Sequence, residues 1–148
     1  MNKAIIGRKE LVGLPDWSID AIVAKVDTGA YNCAIHADAV IEQTEQGQSI
    51  LEFVLLPVSE PAFSGKKIRT TSYQVKNVRN SFGQMEKRFL VHTRLVLGAQ
   101  SIPVAFTLSN RSKMKHAVLL GRKMLKNRFL VDVAKTYQAG KPLTSTQP

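Results

Sequence analysis

The sequence predicts an all-β domain with one short helix near the C-terminus. Short runs rich in β-branched and apolar residues recur between turn signals, as in all-β proteins. The length of 148 residues fits one domain that can bury a core, and the 44% hydrophobic and 22% charged content is ordinary for a soluble globular protein. We expect a domain over residues 1–138 and a polar, disordered tail over residues 139–148.

The first half of the chain predicts strands separated by proline, glycine and polar residues. Pro15-Asp16 interrupts the second apolar run, and the polar segment 43–48 contains a glycine and suits a hairpin. Residues 57–67 hold two prolines and a glycine and are predicted to form a loop. The predicted strands of this half are residues 3–7, 10–14, 19–26, 33–42 and 49–56.

The second half predicts longer strands and then the helix. Two polar–apolar runs, 70–78 and 87–97, flank a turn signal at 80–83, and a further strand, 101–109, follows the turn at 98–100. The chain then predicts a short strand, the helix and a last strand, at residues 118–120, 122–126 and 128–133.

The most informative motif is Asp27-Thr28-Gly29, which directly follows an apolar strand. The strand delivers the Asp27 carboxylate, Thr28 can hydrogen-bond locally to hold the turn, and Gly29 lets the backbone approach a substrate closely. Aspartic peptidases need residues of these types in this order. Taken alone, the motif also fits an ordinary turn, because Asp and Gly both favour turns.

A second motif lies near the end of the chain, where an apolar run ends in Gly121-Arg122 and a helix-compatible stretch follows. Leu119 and Leu120 precede the glycine, and we expect them to pack under the Asp27 turn and hold it in place. An ordinary buried strand that ends at a glycine is the alternative for this segment. The two motifs in this order favour the catalytic interpretation.

The paired motifs resemble those of retropepsins, and the likeness extends over roughly residues 3–137. The matching segments are Asp27-Thr28-Gly29-Ala30, Ala34-Ile35-His36-Ala37, Asn80-Ser81-Phe82-Gly83 leading to Arg88, Leu108-Ser109-Asn110-Arg111-Ser112-Lys113-Met114, Leu119-Leu120-Gly121-Arg122 and Arg128-Phe129-Leu130-Val131-Asp132. The chain resembles the retropepsin-like family often named ATP-dependent zinc proteases, whose members often accompany ATP-grasp ligases that add glutamate to protein tails. The resemblance implies a closed or partly open acid-protease barrel and a ligase partner.

The resemblance also implies that Asp27, Thr28 and Gly29 are the catalytic residues of an aspartic-type endopeptidase. Aspartic proteolysis uses two carboxylates that share one proton across an attacking water. One acts as base toward the water, and the protonated one polarises the scissile carbonyl. Because the chain has a single Asp-Thr-Gly, a second Asp27 must come from a symmetric partner, so we expect a homodimer.

Three residues are predicted to bind substrate, namely Ala30, Arg79 and Arg88. The two arginines flank the turn at 80–83 and can hold a substrate carboxylate with a bidentate fork, although a solvent-facing side chain is the alternative for each. Retropepsins close a flexible hairpin over the substrate, and segments 43–48 and 57–67 are the two candidates here.

Four residues are predicted to support the site: Leu119, Leu120, Gly121 and Arg122. Arg122 is expected to pair with a carboxylate and brace the catalytic turn, as the corresponding arginine does in retropepsins. His36 is expected to satisfy local hydrogen bonds near that turn, and Cys33 is expected to pack as a small apolar residue.

The net charge of +10 is unevenly distributed along the chain. Residues 1–65 hold 4 Lys/Arg and 9 Asp/Glu, whereas residues 66–148 hold 17 and 2. This asymmetry favours an acidic partner such as nucleic acid, an anionic membrane surface or a polyglutamate tail, with a solvated basic face as the alternative. Nucleic acid gains little support, because four phenylalanines are predicted to lie in the core rather than among the cations: Phe82, Phe89, Phe106 and Phe129.

Composition disfavours several other functions. No apolar run approaches the ~20 residues needed to span a bilayer, so no membrane partner is predicted. The N-terminus lacks a signal-peptide apolar region and the lone Cys33 cannot form an internal disulfide, which predicts a cytoplasmic protein. Zinc-site spacing is absent among the candidate ligands Cys33, His36, His92 and His116, so no metal is predicted. The sequence also has no phosphate-binding glycine loop, so no other cofactor is predicted.

Two functions therefore remain open. The first is an aspartic-type peptidase that works as a homodimer on acidic or glutamate-tailed peptides. The second is a non-catalytic binding module that recognises an acidic peptide, a ligase partner or RNA. The oligomeric state separates them, because a monomer excludes the shared-proton chemistry.

Overall fold

The computed structural model of the protein describes residues 3–79 and 81–143. The described residues form eleven strands, one short helix and one 3₁₀ turn. The strands are β1 (Ala4–Ile6), β2 (Lys9–Leu14), β3 (Ile19–Val26), β4 (Cys33–Glu45), β5 (Gln48–Leu55), β6 (Lys67–Thr70), β7 (Tyr73–Arg79), β8 (Met85–Leu97), β9 (Gln100–Ser109), β10 (Val118–Leu120) and β11 (Phe129–Val131). The helix α1 spans Arg122–Leu125, and the 3₁₀ turn spans Pro15–Trp17.

Six of these strands form a closed barrel. They follow the order β10, β3, β2, β8, β9 and β4, and β4 pairs with β10 to complete the ring. The strands β5, β6 and β7 extend the same sheet beyond the ring. The predicted all-β barrel with one short helix near the C-terminus is therefore confirmed, and the barrel is closed.

The core fills the barrel because its strands alternate inward and outward side chains. In β9, Ile102, Val104, Phe106 and Leu108 are buried, while the residues between them are more exposed. The strand β3 ends on the buried Val26, which fixes the point at which the chain leaves the barrel wall. The next residue is Asp27.

The β7–β8 hairpin is exposed along most of its outer half. Phe82 lies in the turn at its tip and is 87% exposed, so its prediction as a core residue is wrong. Phe106 and Phe129 are buried as predicted, and Phe89 packs partly buried against the core. The difference arises because Phe82 lies in the turn, where no strand pairing directs the side chain inward.

The two segments predicted as candidates for the hairpin that closes over the substrate have different structures. A tight turn at Gln46 and Gly47, with φ of +52° and +78°, joins the antiparallel strands β4 and β5, as the predicted hairpin requires. In the loop at 57–67, Ala62 and Phe63 pack against the core. Which segment closes over a substrate stays a prediction.

The two ends of the described chain meet at Glu10. This residue is fully buried and accepts hydrogen bonds from the backbone N–H groups of Gly7 (2.7 Å), Gln138 (2.9 Å) and Ala139 (2.9 Å). Such partners offset the cost of burying a carboxylate. Nearby, β1 and β11 form a separate parallel sheet of two strands.

The domain boundary predicted at residue 138 stays a prediction. The N–H of Leu143 donates to the carbonyl of Gly98 (2.9 Å), so ordered contacts extend past that boundary, and residues 144–148 lie outside the described residues. Within the described ranges, no helix is long and apolar enough to cross a membrane.

Candidate active site

Asp27 lies at the end of β3, where the chain turns away from the barrel wall. Its N–H donates to the carbonyl of Leu120 (2.9 Å), and its Oδ1 accepts a hydrogen bond from the N–H of Gly29 (2.9 Å). The N–H of Ala30 donates to the Asp27 carbonyl (3.2 Å), so the turn closes on the aspartate itself. One carboxylate oxygen is thereby fixed in orientation while the side chain stays half-buried.

The strand β10 supports this turn from behind. It lies between β3, to which it is parallel, and β4, to which it is antiparallel, and the buried Leu120 pairs with Val26. Gly121 then passes very close to the turn, because a Cβ there would lie 2.6 Å from the carbonyl carbon of Asn32 and 2.7 Å from the carbonyl oxygen of Tyr31. Only glycine allows this approach.

Arg122 braces the turn through its carbonyl groups. Its Nη1 donates to the carbonyl oxygen of Gly29 (3.1 Å) and, over a longer distance, to that of Thr28 (3.5 Å), while its backbone N–H donates to the Ala30 carbonyl (2.8 Å). The guanidinium also lies 5.5 Å from the centroid of the Tyr31 ring, within cation–π range. The contacts are therefore carbonyl oxygens rather than the carboxylate that the sequence predicted.

Cys33 is buried behind the same turn. Its Sγ accepts a hydrogen bond from the N–H of Gly121 (3.4 Å). Burial raises the pKa of the thiol, and the hydrogen bond from Gly121 only partly opposes that effect. The side chain therefore stays a neutral packing group that links β4 to the start of α1.

His36 joins the strand that follows the Asp27 turn to a distant loop. The spacing of two residues within β4 places His36 and Asp38 on one face, and the His36 Nε2 lies 2.7 Å from Oδ2 of Asp38. The Nδ1 accepts a hydrogen bond from the backbone N–H of Arg111 (2.8 Å), so in the neutral ring the proton lies on Nε2 and is donated to Asp38. The imidazole is only 1% exposed.

A basic cavity of about 340 Å³ opens beside Asp27. Its lining residues are Arg8, Lys9, Lys25, Val26, Arg111, Met114, Lys115 and His116. Five of these are permanent cations, none is a carboxylate, and Val26 directly precedes Asp27. The cavity is therefore suited to an anionic ligand.

Burial lowers the pKa of Arg111, and attraction to the Asp27 carboxylate partly opposes this effect. The guanidinium remains charged at any physiological pH, because its ordinary pKa is so high. Arg111 also lines the same cavity as Val26, the residue directly before Asp27.

His116 provides a titratable group in the same cavity. Burial lowers its pKa below the ordinary value of 6.5, and repulsion by neighbouring cations lowers it further. These cations are Lys9, Lys115, Lys25 and Arg111. The imidazole is therefore neutral at pH 7.

The lowered pKa of His116 gives a testable pH dependence. We expect its NMR titration midpoint to lie below 6.5 and to rise in Lys115→Gln, because that change removes one repelling charge. Unfolding removes the burial and the nearby cations, so the His116 pKa returns to about 6.5 and the unfolded state binds more protons than the folded state. The free energy of unfolding therefore falls as the pH drops from about 6.5 toward the lowered pKa of the folded protein. Lys141→Gln, away from the cavity, is the control, and a midpoint at or above 6.5 would contradict the assignment.

Residues 5–142 match the sequence model of the RimB-like family, described as the retropepsin-like aspartic endopeptidase RimB. The chain belongs to this family. The match includes the Asp27 turn, β10, α1 and the loop that carries Arg111, so the geometry described above lies within the RimB-like domain. The family predicted from the sequence is confirmed, and with it the retropepsin-like fold.

Relatives and a solved structure are similar to the chain along most of its length. Two proteins named probable alpha-L-glutamate ligase, from Shewanella halifaxensis (strain HAW-EB4) and Parasynechococcus marenigrum (strain WH8102), are each 32% identical over 139 residues, which is 94% of this chain and 30% of each relative. The chain thus spans less than a third of these relatives. The crystal structure of Lpg0085, a protein of unknown function (DUF785) from Legionella pneumophila subsp. pneumophila str. Philadelphia 1, matches with a TM-score of 0.74 at 26% identity, covering 93% of this chain and 99% of that one.

The residues predicted to bind substrate lie in two places. Ala30 belongs to the Asp27 turn, as described above. Arg79 and Arg88 lie on the β7–β8 hairpin, where Arg79 donates to the Gly83 carbonyl (2.7 Å) and Arg88 pairs with Glu86 (3.3 Å). Neither arginine lines the basic cavity, and their role in this RimB-like protein stays a prediction.

Sequence reasoning missed the cations that line the cavity, in particular Lys25, Arg111 and Lys115. For Arg111 and Lys115 the available signal was the excess of Lys and Arg in residues 66–148, which indicates an acidic partner without indicating where it binds. Lys25 lies in the half of the chain where carboxylates outnumber cations, so composition gave no signal for it. Among the described residues, no three His, Cys, Asp or Glu side chains are grouped as a metal site requires.

Proposed function

We propose that the protein is an aspartic-type endopeptidase whose active form is a homodimer with one Asp27 from each chain. The observation that carries the proposal is the Asp27 turn, in which a half-buried carboxylate is oriented by the Gly29 N–H and braced through Arg122. A carboxylate held in this way is suited to general acid–base work on a bound water. Membership of the RimB-like family supports this chemistry.

The single carboxylate is the reason for the second copy. Among the described residues of the turn and of the cavity lining, Asp27 is the only carboxylate. Two like charges at close range cannot both ionise, so a pair of Asp27 side chains would hold one proton between them. The ionised member takes a proton from water, and the protonated member donates to the substrate carbonyl.

An exposed apolar surface beside the turn fits a second copy of the chain. Ile5 of β1 and Leu130 of β11 are register partners in the two-stranded sheet, and they are 51% and 54% exposed. Leu130 also lines a groove of about 690 Å³ that reaches Tyr31 and Thr28. Because the groove reaches Thr28 of the Asp27 turn, we infer that the two-fold axis of the dimer passes close to this groove.

Leu130→Lys tests that surface. Burying an unpaired ammonium in an apolar interface costs several kcal/mol, so we expect the dimer dissociation constant to rise by about 100-fold or more and cleavage to fall in parallel. Sedimentation velocity measures the first effect and peptide cleavage the second. Leu143→Lys, at a 68% exposed leucine outside the groove, is the matched control. A Leu130→Lys protein that dimerises like wild type would place the interface elsewhere.

We further propose that the substrate is an acidic peptide, such as a glutamate tail. The basic cavity beside Asp27 supports this substrate class, since five cations line it. The relatives named probable alpha-L-glutamate ligase suggest a ligase partner that supplies such tails. We place both in the cytoplasm, because the free thiol of Cys33 suits a reducing compartment.

The direct test is cleavage of a peptide that carries a glutamate tail. Mass spectrometry should show internal cleavage of this peptide and slower cleavage of a matched peptide with a glutamine tail. Sedimentation velocity on the same sample should show a dimer. A monomer that binds the glutamate peptide without cleaving it would support the alternative, a binding module.

A further inference from the structure

Arg111 lines the basic cavity with a guanidinium that is only partly engaged in hydrogen bonds. Its Nε donates to the carbonyl oxygen of His116 (3.1 Å), which fixes the plane of the group. Within the part of the chain that the structure describes, neither terminal nitrogen of Arg111 has a hydrogen-bond partner, and the side chain lines the cavity beside Val26. Two such nitrogens match the two oxygens of a carboxylate in spacing and charge.

We propose that Arg111 determines the specificity of the site by binding a substrate carboxylate end-on beside Asp27. His36 and Asp38 are positioning residues that hold Arg111 in place. The inference rests on the proposed function and names the contact that selects the acidic substrate. Arg111 and Val26, the residue directly before Asp27, line the same cavity, so a carboxylate bound at Arg111 lies near the Asp27 turn. The charge attraction between Arg111 and Asp27 is consistent with this placement.

The loop that carries Arg111 is fixed by its own hydrogen bonds. The Arg111 carbonyl accepts a hydrogen bond from the N–H of Met114 (2.8 Å), and the Asn110 side chain accepts one from the N–H of Ser112 (2.9 Å). The side chain of Arg111 closes the loop by donating to His116. A pre-ordered loop lowers the entropy cost of binding a ligand at the guanidinium.

His36 ties this loop to the catalytic turn. Its ring Nδ1 accepts a hydrogen bond from the backbone N–H of Arg111. Its backbone N–H donates to the Ala117 carbonyl (2.9 Å), and its backbone carbonyl accepts from the Leu56 N–H (3.0 Å). Asp38 holds the proton of the ring on Nε2, which keeps Nδ1 available as an acceptor. Since β4 begins directly after the Asp27 turn, one buried ring sets the position of Arg111 relative to the catalytic residue.

The other cations of the cavity are less suited to selective binding. Arg8 donates to the Val133 carbonyl (3.4 Å), and the Lys9 ammonium lies 5.6 Å from the Tyr137 ring centroid. Lys25 and Lys115 are exposed ammonium groups on flexible stems, which act as point charges. We therefore expect these cations to raise the affinity for any anion, and Arg111 to distinguish a carboxylate from an amide.

The test measures binding in an Asp27→Asn background, so that the peptide is not consumed. Fluorescence anisotropy compares a labelled tetraglutamate peptide with its tetraglutamine counterpart. We expect Arg111→Gln to weaken glutamate binding by about 10- to 100-fold and to leave glutamine binding within about 2-fold. Arg111→Lys should recover only part of the loss. Lys25→Gln removes the same charge from the same cavity and should weaken glutamate binding by no more than about 3-fold.

A pair of His36 variants tests the positioning role. His36→Leu removes both ring contacts and should reduce the preference for glutamate over glutamine nearly as much as Arg111→Gln does. His36→Gln should restore it, because an amide can accept from the Arg111 N–H and donate to Asp38. Adding Arg111→Gln to His36→Leu should cause little further loss. Thermal unfolding of each variant shows whether a general loss of structure is responsible, which would lower the affinity for both peptides equally.

The outcomes separate this inference from the proposed function. If Arg111→Gln affects glutamate binding no more than Lys25→Gln does, the assignment of Arg111 is wrong, whether or not the wild-type protein cleaves peptides. If the wild-type protein cleaves nothing while Arg111→Gln abolishes the glutamate preference, the carboxylate site is supported and the endopeptidase proposal fails. In an active enzyme, Arg111→Gln should change KM for the glutamate peptide more than kcat.

Discussion

Asp27→Asn is expected to lower kcat for peptide cleavage by about 10³-fold or more, because an amide can neither take a proton from water nor share one with its partner. The substitution is nearly isosteric, and an amide oxygen can still accept the hydrogen bond from the Gly29 N–H that Oδ1 accepts now. The fold should therefore survive, with a melting temperature close to that of the wild type. Steady-state cleavage and thermal unfolding measure the two effects.

Asp20→Asn is the matched control, since Asp20 lies on the same strand, β3, with its side chain exposed. It should leave turnover unchanged. A second arm adds excess Asp27→Asn protein to wild type. If each active site needs two Asp27 side chains, mixed dimers are inactive and the activity per wild-type chain falls. Wild-type turnover in Asp27→Asn would exclude the aspartate mechanism.

Gly121→Ala is expected to destabilise the protein by about 3 kcal/mol, the upper end of the usual cost of overpacking. The new methyl group would meet the backbone of Tyr31 and Asn32, which cannot move away as a flexible side chain can. Because those residues belong to the turn that begins at Asp27, activity should also fall in the fraction that remains folded. Urea unfolding measures the stability, and cleavage under native conditions measures the activity.

Gly47→Ala serves as the comparison for Gly121→Ala. Gly47 has φ of +78° and open space around the position of a Cβ, so the substitution should cost only about 1 kcal/mol from backbone strain. It lies in the β4–β5 turn, a candidate closing hairpin, so the comparison between the two variants is made on stability alone. Equal destabilisation by the two substitutions would mean that close packing behind the catalytic turn matters less than the structure indicates.

The parts of the site that the sequence predicted are contiguous segments. Asp27-Thr28-Gly29 and the apolar run before Gly121 each carry their own signal, because a strand must deliver the carboxylate and only glycine fits where two backbones approach closely. The barrel fold then accounts for the pairing of β10 with β3 beside the Asp27 turn. Local sequence patterns therefore predicted the Asp27 turn and the strand β10 that supports it.

The remaining parts of the site depend on contacts between residues that are distant in the sequence. His36 and Arg111 are 75 positions apart, and neither neighbourhood indicates that a ring nitrogen will accept that particular backbone N–H. Arg122 was predicted to meet a carboxylate, yet the turn presents carbonyl oxygens to its guanidinium. Phe82 is an aromatic residue between Ser81 and Gly83, and the hairpin places it at an exposed tip rather than in the core.

The buried Glu10 has a consequence for assembly. By accepting hydrogen bonds from the backbone after β1 and from the backbone after β11, it links the first and last strands to β2. The apolar patch of Ile5 and Leu130 therefore lies on two paired strands that are both linked to the barrel. If two copies meet at this patch, as we propose, strands that are already ordered reduce the conformational freedom lost on association, so a modest contact area can suffice for a stable pair.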